Sequence, residues 1–191
     1  MGAPAALPAT PNLTMTIAAQ FIERSRHYLG YEYPAKIRQC LDVLPEDAVW
    51  QRSDAASNSI GNLLLHLEGN VRQWIISSVG GAADGRRRST EFAATTGASK
   101  RDLYNRLRAT LYEADVVIGA LTPASLESRR AIQGRDVSVF DAIYHVVEHF
   151  SLHTGQIILL TKQLSPGSIS FYEDADGLAI PRWRDRTQKE P

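Results

Sequence analysis

Apolar residues recur every three or four positions in several stretches of the chain, separated by polar or turn-forming runs. Over 16–29, TIAAQFIERSRHYL keeps this helical spacing and stops at Gly30. PAKIRQCLDVL (34–44) resumes it behind a proline, which a first helical turn tolerates, so it can continue the first helix with a kink. LPEDAVWQRSDAASNS reads as a loop rich in turn formers, with Trp50 predicted to pack on the helices. SIGNLLLHLEGNVRQWIISSV (59–79) is the next helix, with start signals in Ser57 and Asn58 and a stop at Gly80-Gly81.

A glycine-bearing polar loop is predicted over 80–98. A third long helix follows at 99–121, capped by Ser99 with Asp102 in the capping-box position. ESRRAIQGRDVS alternates around Gln133-Gly134 and predicts a small hairpin. The last helix spans 139–164, capped by Ser138 and ending before Pro166. Residues 1–15 read as a loose Ala/Pro tail, and 165–191 as an irregular tail anchored by Phe171, Tyr172 and Trp183. Four long amphipathic helices over 16–164 predict an all-α fold, a single-domain helical bundle.

Three of the five histidines, His145, His149 and His153, are spaced four residues apart on the last helix. A four-residue step advances the helical face by only about 40° and rises about 6 Å, so neighbouring imidazoles can converge on one point. Gln156 falls on the same stripe. Val139, Phe140, Ile143, Val146, Val147, Phe150 and Ile157 form the adjacent arc, predicted to be the core face, so the histidines border the core. His66 sits at the edge of the apolar arc of 59–79. On a neighbouring helix about 8–10 Å away it can meet an H-x-x-x-H pair. Three imidazoles on a divalent ion leave a position for water or substrate. The plainer reading of any one of them, His27 included, is a packed or surface histidine.

HVVEH (145–149) also fits the inverted zinc-protease motif with Glu148 as base. That motif needs an acidic ligand well downstream, and the acids there, Glu173, Asp174 and Asp176, fall in the predicted tail. A di-iron bundle needs paired Glu-x-x-His units, which the apolar helices lack. Cys40 has no histidine nearby in sequence, and neither a nucleophile elbow nor a phosphate loop is present.

Composition narrows the partners. Lys plus Arg equals Asp plus Glu, 21 of each, so no global field attracts nucleic acid or an anionic membrane. The arginine run at 86–88 is local. One cysteine forms no internal disulfide, which fits a reducing cytoplasm. The N-terminus lacks the basic and apolar regions of a secretory signal, and no stretch approaches the roughly 20 apolar residues of a membrane span.

NSIGNLLLHLEGNVRQWI (58–75) together with HVVEHFSLHTGQIILLTKQL (145–164) resembles the DinB superfamily, also called DinB/YfiT-like. The resemblance implies a four-helix bundle holding a divalent ion, often nickel or zinc, and a homodimer. Carried over by position, the metal ligands fall on His66, His149 and His153. His145 precedes the matching pair by one turn and reads as packing or as support for a ligand. Some members are thiol-dependent transferases or isomerases using mycothiol, bacillithiol or glutathione. Relatives often carry an acidic residue before EFA, where this chain has RRRSTEFA; a loop carboxylate is therefore in doubt, while the arginines suit an anionic thiol cofactor. Two functions follow as expectations. In one, a metalloenzyme activates a low-molecular-weight thiol or water toward a small substrate, with Gln156 orienting a ligand. In the other, a non-catalytic metal-binding bundle serves in assembly or stress response.

Overall fold

A computed structural model describes residues 15–183; most of the predicted N-terminal tail and the last residues of the C-terminal one lie outside them. Helix α1 (Ile17–His27) is capped by Thr16 and runs through a π-helical turn, Tyr28–Glu32, straight into α2 (Tyr33–Val43). Gly30 therefore does not end the helix. Pro34 has no N–H to give to the Gly30 carbonyl, and the Arg108 guanidinium donates to that carbonyl instead.

Helix α3 (Ile60–Val71) starts from Ser59, slightly later than the Ser57/Asn58 signals. Ser59 Oγ accepts the Asn62 N–H while Asn62 Oδ1 accepts the Ser59 N–H. The helix continues as a π-helical segment, Arg72–Val79. Trp50 lies on α3 at Gly61, where a Cβ would stand 2.7 Å from the indole ring.

The stretch 80–98 is not all loop. It contains a short helix, α4 (Arg88–Ala93), tied to α3 by Asn62 Nδ2, which donates to the carbonyls of Glu91 and Ala94 at 2.8 and 2.7 Å. Helix α5 (Lys100–Gly119) is capped by Ser99. Strands β1 (Arg129–Ile132) and β2 (Arg135–Ser138) form the antiparallel hairpin around Gln133 and Gly134, both at positive φ, 52° and 75°. Helix α6 (Val139–Leu164) begins at a Ser138/Asp141 capping box.

The C-terminal stretch departs from the irregular tail predicted for it. Strands β3 (Tyr172–Ala175) and β4 (Leu178–Pro181) pair antiparallel, with Asp176 and Gly177 turning at positive φ. Phe171 and Trp183 are buried, and Trp183 packs under the Lys36 ammonium of α2, 4.1 Å from the ring centroid.

The continuous α1–α2 rod, α3, α5 and α6 make the four-helix bundle, with α3 against both α5 and α6 and α2 against α6. Leu63, Leu67, Trp74, Val146, Phe150 and Ile157 are all in its core. Phe140 is a correction to the predicted core face. It is 43% exposed and stacks on Phe21 at 4.4 Å, because Val139, Ala142 and Ile143 fill the inward side of that first turn. Among the described residues no helix is long and apolar enough to cross a membrane.

Phe150 is fully buried and stacks on Tyr33 at 5.7 Å. Phe150→Ala should lower unfolding free energy by about 3–5 kcal/mol, as a lower urea midpoint at unchanged slope.

Candidate metal centre

The pairing of α3 with α6 sets His66 opposite His149 and His153. His66 Nε2 lies 3.1 Å from His149 Nε2, which lies 3.1 Å from His153 Nε2; the three donor atoms are within 4.8 Å of one another. Zinc–imidazole bonds of about 2.0–2.1 Å place neighbouring donors roughly 3.0–3.4 Å apart around one ion, so two of the three separations already have that size.

The far sides of two rings fix their protonation. His66 Nδ1 faces Glu91 Oε2 at 2.8 Å, and His153 Nδ1 faces Gln156 Oε1 at 2.6 Å. Both oxygens accept, so both Nδ1 atoms carry the proton and both Nε2 atoms present lone pairs. Only His149 can supply a proton between them, and one N–H serves two lone pairs poorly. His149 Nδ1 is itself buried without a hydrogen-bond partner. The donor set therefore fits a cation better than it fits itself.

Burial depresses two of these imidazoles, His149 and His153. It is the main cause for His149, pushed down to about 3 with help from the neighbouring histidines and Arg86. Burial also lowers His153, more than the Gln156 hydrogen bond raises it. Neutral imidazole is the form a metal needs. Glu91 moves in the direction its partners dictate: burial would raise its pKa, but hydrogen bonds and charge from His66 and Arg86 outweigh that and lower it.

Glu91 is the functional residue that the sequence reading passed over. Its carboxylate receives the Arg86 guanidinium on both oxygens, Nε to Oε1 at 2.7 Å and Nη2 to Oε2 at 3.0 Å. Arg86 Nη1 adds a 3.0 Å bond to Gln73 Oε1. The Arg86 side chain is only 4% exposed, so the reading of 86–88 as arginines free for a cofactor fails for this one. Arg86 Nη2 is also 3.1 Å from His66 Nδ1, but both atoms are donors, and the contact follows from their shared acceptor. Arg87 and Arg88 are exposed; Arg88 lies over Phe92, whose ring is 4.7 Å from the His66 ring. The doubt about a loop carboxylate is thus answered by the glutamate of EFA itself. An acid beside an aromatic in a stretch able to form one or two turns was the available signal.

His145 does not join the trio. Its ring stacks on Trp74 at 4.1 Å, and its Nε2 is 3.5 Å from Asn70 Nδ2. Glu148 is exposed, away from the cluster. Cys40 is buried, its thiol pushed up to about 11 by that burial, and it takes no part.

The bundle, with His66 on its second helix and His149 and His153 on its last, has the DinB-like fold. Two crystal structures share the fold. One is a DinB-like protein from Bacillus cereus ATCC 10987, 17% identical, with TM-score 0.59 over 74% of this chain and 89% of that one. The other is a DinB-like protein of Bacillus subtilis, YjoA, 16% identical, with TM-score 0.58 over 81% of this chain and 97% of that one. The chain belongs to the family described as protein of unknown function DUF1572, whose model matches residues 16–182. Comparison with curated proteins gave no match.

The depressed His149 pKa has a stability consequence in metal-free protein. Unfolded histidine takes a proton near pH 6.5, whereas folded His149 refuses it until about pH 3. The unfolded state therefore binds more protons in that window, and stability falls as pH drops through it. Urea midpoints of chelator-treated protein should decline from pH 7 to pH 4, and less steeply in His149→Gln.

Proposed function

We propose that the protein binds one divalent ion through His66, His149 and His153 and uses it to activate a thiol or water for attack on a small substrate. The convergence of three Nε2 atoms carries this reading. Imidazole donors suit zinc and nickel. When bound, such an ion supplies Lewis acidity that lowers the pKa of a thiol or water in a remaining coordination position.

The chain's own residues support an exchangeable position over a closed, purely structural site. Glu91, the carboxylate beside His66, contacts Nδ1 on the edge of the ring away from the ion and is held there by Arg86. It is thereby withheld as a fourth ligand. His149 and His153 are only partly buried, so a small molecule can approach from their side, where Gln156 is exposed. Phe92 supplies an apolar wall over His66. Gln156 orients His153 by accepting its Nδ1–H, the role of an outer hydrogen-bond partner in metal sites.

A homodimer through α6 belongs to the same reading. Its outer face carries Tyr144, Leu152 and Leu159, 58%, 58% and 56% exposed, with Glu148 exposed among them. Exposed apolar side chains gathered on the outside of a bundle helix favour a partner over water. Light scattering should give twice the chain mass, and Leu152→Glu with Leu159→Glu should give the chain mass; a monomeric wild type contradicts the dimer.

Protein purified without a histidine tag should hold one zinc or nickel per chain by elemental analysis. Alanine at His66, His149 or His153 should each weaken binding at least tenfold, and His145→Ala much less. Metal-loaded protein should then transfer a low-molecular-weight thiol to an electrophile, or hydrolyse an ester, with no turnover in His153→Ala or after chelation. Metal binding without turnover across a broad panel would leave the non-catalytic bundle.

A further inference from the structure

Gly69 lies three residues beyond His66, in the interior of α3. Its backbone does not require glycine, since it lacks positive φ, and alanine there would favour the helix by about 1 kcal/mol. What excludes a side chain is the salt bridge above it. A Cβ at Gly69 would fall inside van der Waals contact of Glu91 Oε1, and 3.0 Å from both Glu91 Cδ and Arg86 Nε. These three atoms are its nearest neighbours, and all belong to the pair that holds His66. The helix gives up its better residue at the one point where the carboxylate must lie flat against it.

We propose that Gly69 is a positioning residue of the metal centre: its bare Cα seats the Glu91 carboxylate on His66 Nδ1 and so keeps Nε2 of His66 as the donor. The inference rests on the metal-binding reading of the trio but adds a residue and a device to it. A methyl group at 69 must push the carboxylate off His66. The displaced carboxylate has somewhere to go, because Gly69, Arg86 and Glu91 line an open cavity of about 420 Å³ that also holds Arg72, Arg87 and Arg106. Gly69→Ala should thus fold, yet lose the lock on the imidazole.

The test is a cycle of wild type, Gly69→Ala, Glu91→Ala and the double variant, read in two ways. In chelator-treated protein, nitrogen-15 NMR of the histidine rings should place the His66 proton on Nδ1 in wild type and on a mixture of Nδ1 and Nε2 in all three variants. In competition titrations against a chromophoric chelator, zinc affinity should fall about 10–100-fold in each single variant, with the double no weaker than Glu91→Ala. Wild-type affinity and tautomer in Gly69→Ala would overturn the proposal, as would losses that multiply in the double. If Gly69→Ala alone does not fold, the double is compared with Glu91→Ala, which strands Arg86 equally: a double as stable as Glu91→Ala supports the seat, and a less stable one overturns it. A wild type that binds no zinc would sink the metal reading instead, and the metal-free tautomer measurement would still decide the role of Gly69.

Discussion

The Glu91 carboxylate lies against α3 with a guanidinium on one side and an imidazole on the other, and the site takes its shape from this buried arrangement. It joins a loop helix to a bundle helix, fixes which nitrogen of His66 is protonated, and keeps a negative charge near the centre without making it a ligand. Desolvation opposes the attraction in such pairs, so their net contribution to stability is small, whereas stranding one partner costs about 3–5 kcal/mol. The arrangement is better understood as positioning than as glue. Asn62 reinforces it by holding the carbonyls of Glu91 and Ala94, so α4 cannot drift from α3.

The bundle does the remainder. A four-residue repeat on a straight helix sets His149 and His153 one turn apart, and close packing of α3 on α6 brings His66 to them. Burial keeps His149 and His153 neutral, and Nε2 atoms facing one another at 3.1 Å create a demand for positive charge. Protons answer that demand badly, because each would enter a desolvated cluster beside other donors. A divalent ion answers it well.

The helices were legible from sequence because they are periodic; spacing set His145, His149 and His153 on one stripe, and it was the DinB resemblance that chose His66 with His149 and His153 over His145. Twenty-six residues of α6 carry enough turns for the apolar arc and the four-residue histidine spacing to register. Glu91 and Arg86 were not legible, because neither belongs to a periodic segment. Six residues of α4 make fewer than two turns, and an arginine run looks like a solvated surface until a buried carboxylate is known to face it. Phe140 sits on the correct side of the wheel but at a helix start, where its neighbours had already filled the interior. The C-terminal hairpin has strands of four residues, the same length as in the hairpin that was read, and its Asp176-Gly177 turn was a signal passed over. Long-range contacts decided Glu91, Arg86 and Phe140, and local pattern does not encode them.

The central claim concerns which atoms hold the ion. X-ray absorption at the metal edge of zinc-loaded, tag-free protein measures this directly. The account predicts three imidazole nitrogens at about 2.0–2.1 Å, completed by light oxygen or nitrogen donors, with one of those donors replaced by sulfur near 2.3 Å when a low-molecular-weight thiol is added. A shell with fewer than three imidazoles, or one saturated by protein ligands and unchanged by thiol, would contradict it.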